Sequence, residues 1–159
     1  MARGSSLGWP RIIALTLAAL VATILPLPEW LEILRPDFVA LTVLWFCLLS
    51  PRMTGLFHAW GAGLALDAFR GVLLGQHALA LLVITYVATK LRLQVRAFPL
   101  LQQTAVVLAL LWMNEFLLFW IDGASGHPIT DWRRWLAVPA GAACWPLITG
   151  LYARVAGRR

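Results

Sequence analysis

Two carboxylates stand where this apolar chain can least tolerate them. Asp67 follows the run Gly61-Ala62-Gly63-Leu64-Ala65-Leu66, and Glu115 follows Asn114 deep in another apolar stretch. Acid–base catalysis needs two positioned groups, and nothing in the sequence brings these two together. His58, His77 and His127 lie in separate segments, and no pair has metal-ligand spacing with a carboxylate, so each reads as a lone histidine. Cys47 and Cys144 lack CxxC spacing and read as small buried apolar residues. No Ser-His-Asp or Cys-His arrangement can be assembled. The Gly61/Gly63 pair sits within an apolar helix rather than opening one after a strand, so no phosphate loop is present. The residues therefore predict no catalytic group, no metal and no cofactor.

Other work fits these side chains better. Asp67 falls near the end of a helix, where a carboxylate faces the negative end of the helix dipole and needs a partner. Arg70, Arg35 and the backbone N–H groups of the Gly71-to-Gly75 turn are the candidates. The preferred role is to fix that turn, and contact with a ligand or partner is the alternative. Glu115 lies about 9 Å along the helix from Ile121, close enough to reach the outer interface or to pair with Arg133 or Arg134. Intramembrane carboxylates suggest function by default, so a partner or cavity site stands beside the pairing reading. Ala14, Ala18 and Ala22 recur every fourth residue and form a smooth stripe, suited either to internal packing or to docking another protein's helix.

The elements that must position these groups follow from composition. Of 159 residues, 61% are hydrophobic and 13% charged, against about 45–50% and about 25% in soluble domains. Lipid must be the solvent. The net charge of +6 comes from basic residues scattered singly, with no basic face to follow a phosphate backbone, which excludes nucleic acid. Proline and glycine punctuation predicts an all-α integral membrane protein, a six-transmembrane-helix bundle in a single domain over 1–159. Its helices are expected at about 9–25, 36–49, 54–69, 74–90, 99–121 and 135–155. Pro26 and Pro28 end the first, which is read as a retained span, since no A-x-A-type cleavage site follows it. Pro36 suits a first helical turn, Pro51 stops the second helix, and Pro139 and Pro146 bend the sixth. The second and third are short for independent spans.

Arg3, Arg11, Arg52, Lys90, Arg92, Arg96, Arg154, Arg158 and Arg159 fall on one side of this bundle, and Arg35, Arg70, Arg133 and Arg134 on the other. The excess predicts cytoplasmic N and C termini. Glu29, Glu32, Asp122 and Asp131 all lie opposite. Trp9, Trp30, Trp120, Trp132 and Trp135 mark span ends, whereas Trp45, Trp60, Trp112 and Trp145 are expected to pack between helices.

These motifs, in order, resemble the MreD family of bacterial rod shape-determining membrane proteins over nearly the whole chain. The strongest part is Arg35-Pro36-Asp37-Phe38 with Pro51, followed by Gly63-x-x-x-Asp67, Gly71 and Leu74-Gly75. Gln102-Gln103 and Trp145-Pro146 add to it. Arg70 stands where the family pattern is apolar or small. The resemblance implies a non-enzymatic inner-membrane scaffold of the cell-wall elongation machinery. It would bind MreC and connect with the MreB filament, the glycosyltransferase RodA and RodA's transpeptidase partner. It also implies a fold similar to the substrate-binding subunits of energy-coupling-factor transporters, which dock a partner through a small-residue stripe on helix one. Arg35, Pro36, Asp37, Gly63, Asp67, Gly71 and Gly75 are then expected to shape the outer loops, the alanine stripe to dock a partner, and Glu115 to play a lesser part. The rivals are a solute-binding transporter subunit, using Asp67, Glu115, Trp120 and the Asp122-to-Arg134 loop, and an enzyme acting on lipid-linked sugars.

Overall fold

The computed structural model describes residues 8–26, 28, 32–49, 55–126 and 132–155. Arg3, Glu29, Trp30, Pro51, Arg52, Thr54, His127, Asp131, Arg158 and Arg159 lie outside the described residues. Among the described residues there are six α-helices and no strand: α1 (Trp9–Ile24), α2 (Phe38–Leu49), α3 (Leu56–Arg70), α4 (Gln76–Ala97), α5 (Leu100–Ala124) and α6 (Ala137–Val155). A 3-10 turn over Trp132–Leu136 leads into α6.

The helix in the middle of the bundle is one of the shortest. At 12 residues, α2 is only about 18 Å long, yet every residue from Val39 to Leu48 is buried. It packs against α1, α3, α4 and α6, and α5 closes the bundle by packing on α4 and α6. A helix that is hydrophobic all round belongs in a core, and this one is shielded from lipid by its neighbours. Trp45 stacks edge-on against Phe46 and Tyr152, with centroids 5.5 and 5.3 Å away. Polar side chains also meet across this core. The Thr42 and Tyr152 hydroxyls are 2.8 Å apart between α2 and α6. The Thr16 hydroxyl meets His58 Nε2 at 2.9 Å between α1 and α3. Cys47 Sγ lies 3.2 Å from the Thr89 hydroxyl between α2 and α4.

Segments 76–97, 100–124 and 132–155 are long and apolar enough to cross a membrane, while α1 and α2 are shorter apolar helices. The outer surface matches a lipid setting: Leu101, Leu93, Leu147, Trp120 and Phe57 all face outward. Trp145 and Trp45 are buried as expected, but Trp60 and Trp112 are 49% and 56% exposed. Trp112 lies opposite the buried face of α5 through Leu110, Leu111 and Asn114, and Trp60 lies at the edge of the buried face of α3 through Ala59, Ala62 and Gly63.

The helix boundaries differ from the sequence reading at several ends: α4 starts at Gln76 rather than Leu74, α5 runs to Ala124 rather than Ile121, and two further shifts have a visible cause. α2 begins at Phe38, after Pro36 and Asp37, since the Asp37 carboxylate accepts the Ala40 N–H at 3.0 Å and so acts as the N-cap. α4 continues past Lys90 to Ala97. Lys90, Arg92 and Arg96 sit comfortably in a helix, and the chain leaves helical geometry only at Phe98, ahead of Pro99.

Candidate functional site

The carboxyl ends of α1, α3 and α5 and the amino ends of α2, α4 and α6 gather at one end of the bundle. In lipid, free backbone groups at helix ends must find partners within the protein. Charged side chains supply them here.

Asp67 is wholly buried at the foot of α3. One oxygen accepts the Gly75 N–H at 2.8 Å and the more distant Ala78 N–H at 3.4 Å. The other accepts the His77 N–H at 3.0 Å and His77 Nδ1 at 2.7 Å. A side chain from α3 thus caps the N-terminus of α4, where negative charge is favoured, while its own helix ends at Gly71. Of the partners weighed from the sequence, the turn's N–H groups are the ones Asp67 meets. Arg70 instead donates from Nη1 to His77 Nε2, 2.8 Å away. Arginine has no acceptor, so Nε2 is the accepting nitrogen and Nδ1 carries the proton given to Asp67. The sequence reading of His77 as a lone histidine missed this role. Its only signal was its place one residue into a helix that follows a glycine.

Gly63 makes the arrangement possible. A Cβ there would sit 2.3 Å from the Ala78 Cα, so the two helix backbones cross in near contact. Gly63 and Asp67 lie one turn apart on the same face and act on the same end of α4. Gly71 and Gly75 close the turn with φ of 62° and 102°, values that side chains with a Cβ rarely adopt.

Arg35 and Asp37 serve the neighbouring helix ends. The Arg35 guanidinium donates to the carbonyls of Thr23 and Leu25 at the end of α1, while Asp37 caps α2 and Pro36 joins the two. Arg134 completes the pattern: Nε donates to Glu115, and Nη1 donates to Asp122 at 2.7 Å. Gln76 at the start of α4 donates to the other Asp122 oxygen.

These residues surround an open cleft of about 700 Å³. Its lining includes Glu32, Arg35, Asp37, Arg70, Gln76, His77, Glu115, Asp122, Arg133 and Arg134. Among the described residues, positive and negative groups in this lining are equal in number, and most are committed to helix ends or to one another. Glu115 reaches the cleft, whereas Asp67 lies behind it, screened by His77. Among the described residues no cluster of histidine, cysteine and carboxylate groups could hold a metal ion.

The alanine stripe lies elsewhere. Ala14 and Ala18 face outward and Ala22 is half-buried. The buried side of α1 carries Ile12, Ala19, Leu20 and Thr23. Internal packing, the plainer of the two readings of the stripe, therefore does not account for Ala14 and Ala18.

Residues 4–155 match the family described as rod shape-determining protein MreD. A similar relative is the rod shape-determining protein MreD of Haemophilus influenzae, 26% identical over 142 residues, spanning 89% of this chain and 88% of that protein. No solved structure matches.

Proposed function

The chain belongs to the MreD family of rod shape-determining proteins, and from that premise we propose that it is a non-enzymatic scaffold of the bacterial inner membrane. In this reading it crosses the membrane with both termini in the cytoplasm and the cleft on the opposite face. It binds MreC and holds it beside RodA and RodA's transpeptidase partner, with MreB connected indirectly, so that peptidoglycan is inserted along a rod-shaped wall. The observation that carries this reading is the outward face of α1, where Ala14 and Ala18 are exposed beside Ile13, Leu17 and Val21. Without a hydrophobic drive between helices in lipid, small residues gain affinity by letting backbones approach closely.

The test is Ala18→Phe, with the tagged protein crosslinked in its own bacterial membrane and purified. MreC recovery falls while helix content and the monodisperse detergent peak are unchanged. Undiminished recovery removes the stripe from the interface. The cleft favours a second reading, a solute-binding subunit of an energy-coupling transporter. Recovery of transporter ATPases in place of MreC, with a solute retained through purification, would select it.

A further inference from the structure

The charged cleft does not end at the bundle's rim. Gln76, which lines it, also lines a second depression of about 340 Å³ on the lipid-facing flank. That groove is apolar: Trp60, Leu73, Leu74, Leu79, Leu82 and Ile121 form its walls. Val72 faces the cleft and Leu73 the groove, so the turn between α3 and α4 is the ridge between them. The Gln76–Asp122 hydrogen bond lies beside the point where they meet. From Gln76 to Leu82 the groove descends about 9 Å along α4, well into one leaflet of a ~30 Å hydrocarbon core.

At its base the cleft meets a narrow recess of about 20 Å³ bounded by Asp37, Asn114 and Glu115 on its polar side and by Leu111, Ala137 and Val138 on its apolar side. This is room for one small polar group. Asn114 is only 3% exposed, and its Oδ1 has no hydrogen-bond partner. Buried acceptors are seldom left unpaired, and this one shares its recess with two carboxylates. Asp37 and Glu115 each already accept one hydrogen bond, from the Ala40 N–H and from Arg134, so Asn114 Oδ1 is the acceptor left for a hydrogen-bonding cation. Arg70 and Arg133 also line the cleft, and guanidinium groups suit a phosphate.

We propose that cleft and groove together bind one zwitterionic phospholipid, its phosphate against Arg70 and Arg133, its ammonium at Asn114 and Asp37, and one acyl chain along Leu79 and Leu82. Among the described residues the lining has equal numbers of arginines and carboxylates, which favours a headgroup bearing both charges over an anionic one. The adjoining apolar groove selects a lipid over a soluble phosphate ester. This goes beyond scaffolding, because it makes the local lipid part of the surface offered to a partner.

Native mass spectrometry of the protein released from nanodiscs of mixed phosphatidylethanolamine and phosphatidylglycerol tests the assignment. The protein retains one phosphatidylethanolamine. Leu82→Trp, which fills the groove, and Asn114→Leu, which removes the unpaired acceptor at similar volume, each lower retention about tenfold, a shift of one decade in affinity. Leu147→Trp, on the outward face of α6, leaves it unchanged. Ile121→Trp replaces Leu82→Trp if the latter fails to fold. Several outcomes overturn the proposal: no lipid retained, phosphatidylglycerol retained preferentially, or equal retention by the groove variants and Leu147→Trp. Displacement by soluble glycerophosphoethanolamine as effective as by the full lipid would place the headgroup source in solution and remove the groove from the site.

Discussion

Replacing Asp67 by asparagine changes little in volume and much in hydrogen bonding, so it isolates the capping role. The carboxylate accepts from three backbone N–H groups and from His77 Nδ1. An asparagine keeps one oxygen. Its best orientation places that oxygen toward the two His77 donors and leaves the amide NH2 facing the Gly75 and Ala78 N–H groups. The Gly75 N–H, which had a 2.8 Å partner, then opposes another donor. A buried donor left unsatisfied costs about 1–3 kcal/mol, and loss of the charge at the helix N-terminus adds about 1 kcal/mol. The expected penalty is about 2–4 kcal/mol, or a roughly 30- to 1,000-fold easier opening of the first turn of α4. Hydrogen exchange at the amides of Gly75, His77 and Ala78 reads this local opening directly. Protection should fall by that factor, while amides near Leu81 and Ile84, further along α4, change less. Asp67→Ala should fall further still. If Asp67→Asn leaves these amides as protected as before, the carboxylate is not the cap and the reasoning fails.

Other consequences can be checked with ordinary variants. Gly63→Ala should destabilise by about 1–3 kcal/mol despite its better helix propensity, because the Cβ meets the Ala78 backbone; denaturant titration in detergent reads it, and a stabilised variant would refute the close crossing. Gly75→Ala should cost about 1–3 kcal/mol through its positive φ, whereas Gly61→Ala, which meets no neighbouring atom, should stabilise slightly in the same titration. Arg134→Ala strands Glu115 and Asp122, whose side chains are 16% and 19% exposed; partial exposure puts the loss at about 1–3 kcal/mol, below the fully buried case. Adding Glu115→Gln to Arg134→Ala should recover part of the melting temperature, and no recovery would deny that repulsion between the stranded carboxylates matters.

The helices were legible because apolar runs broken by proline and glycine leave little choice of structure in lipid. Asp67 and Glu115 were legible as exceptions for the same reason. What each meets was harder to read. For Asp67 the sequence offered Arg70, Arg35 and the N–H groups of the Gly71-to-Gly75 turn; the Gly75 N–H is the one of these it meets, and the His77 and Ala78 groups just beyond the turn join it. Arg70 then went to His77, a pairing with no pattern behind it. Direction on a helix was similarly hidden: Trp60 and Trp112 face outward, and so do Ala14 and Ala18, because lipid is as apolar as the core and accepts such side chains on the outer face. Asn114 was overshadowed by its charged neighbour, although it is Asn114 that faces the recess with an unpaired acceptor.

The three connections at the cleft end share one construction. Each joins a helix C-terminus to the next helix N-terminus, and each is fastened by a charged side chain reaching across the pair. Arg35 returns to the last carbonyls of α1, Asp67 reaches forward to the first N–H groups of α4, and Arg134 reaches back to two carboxylates on α5. The signs follow from the dipoles. Cations suit the ends of α1 and α5, where carbonyls and, on α5, two carboxylates concentrate negative charge, and anions suit the starts of α2 and α4. In a soluble protein water would satisfy most of these groups and the charges would be optional. In lipid they are obligatory, so the side chains that close the helix ends also become the walls of a strongly polar cavity. The cleft is therefore a consequence of folding in a membrane before it is a site. Gln76 shows the step from one to the other: its amide ties α4 to Asp122, and it is also the one polar residue shared with the apolar groove. A polar wall already fixed by structural need, open to lipid at one point, requires little further change to hold a headgroup.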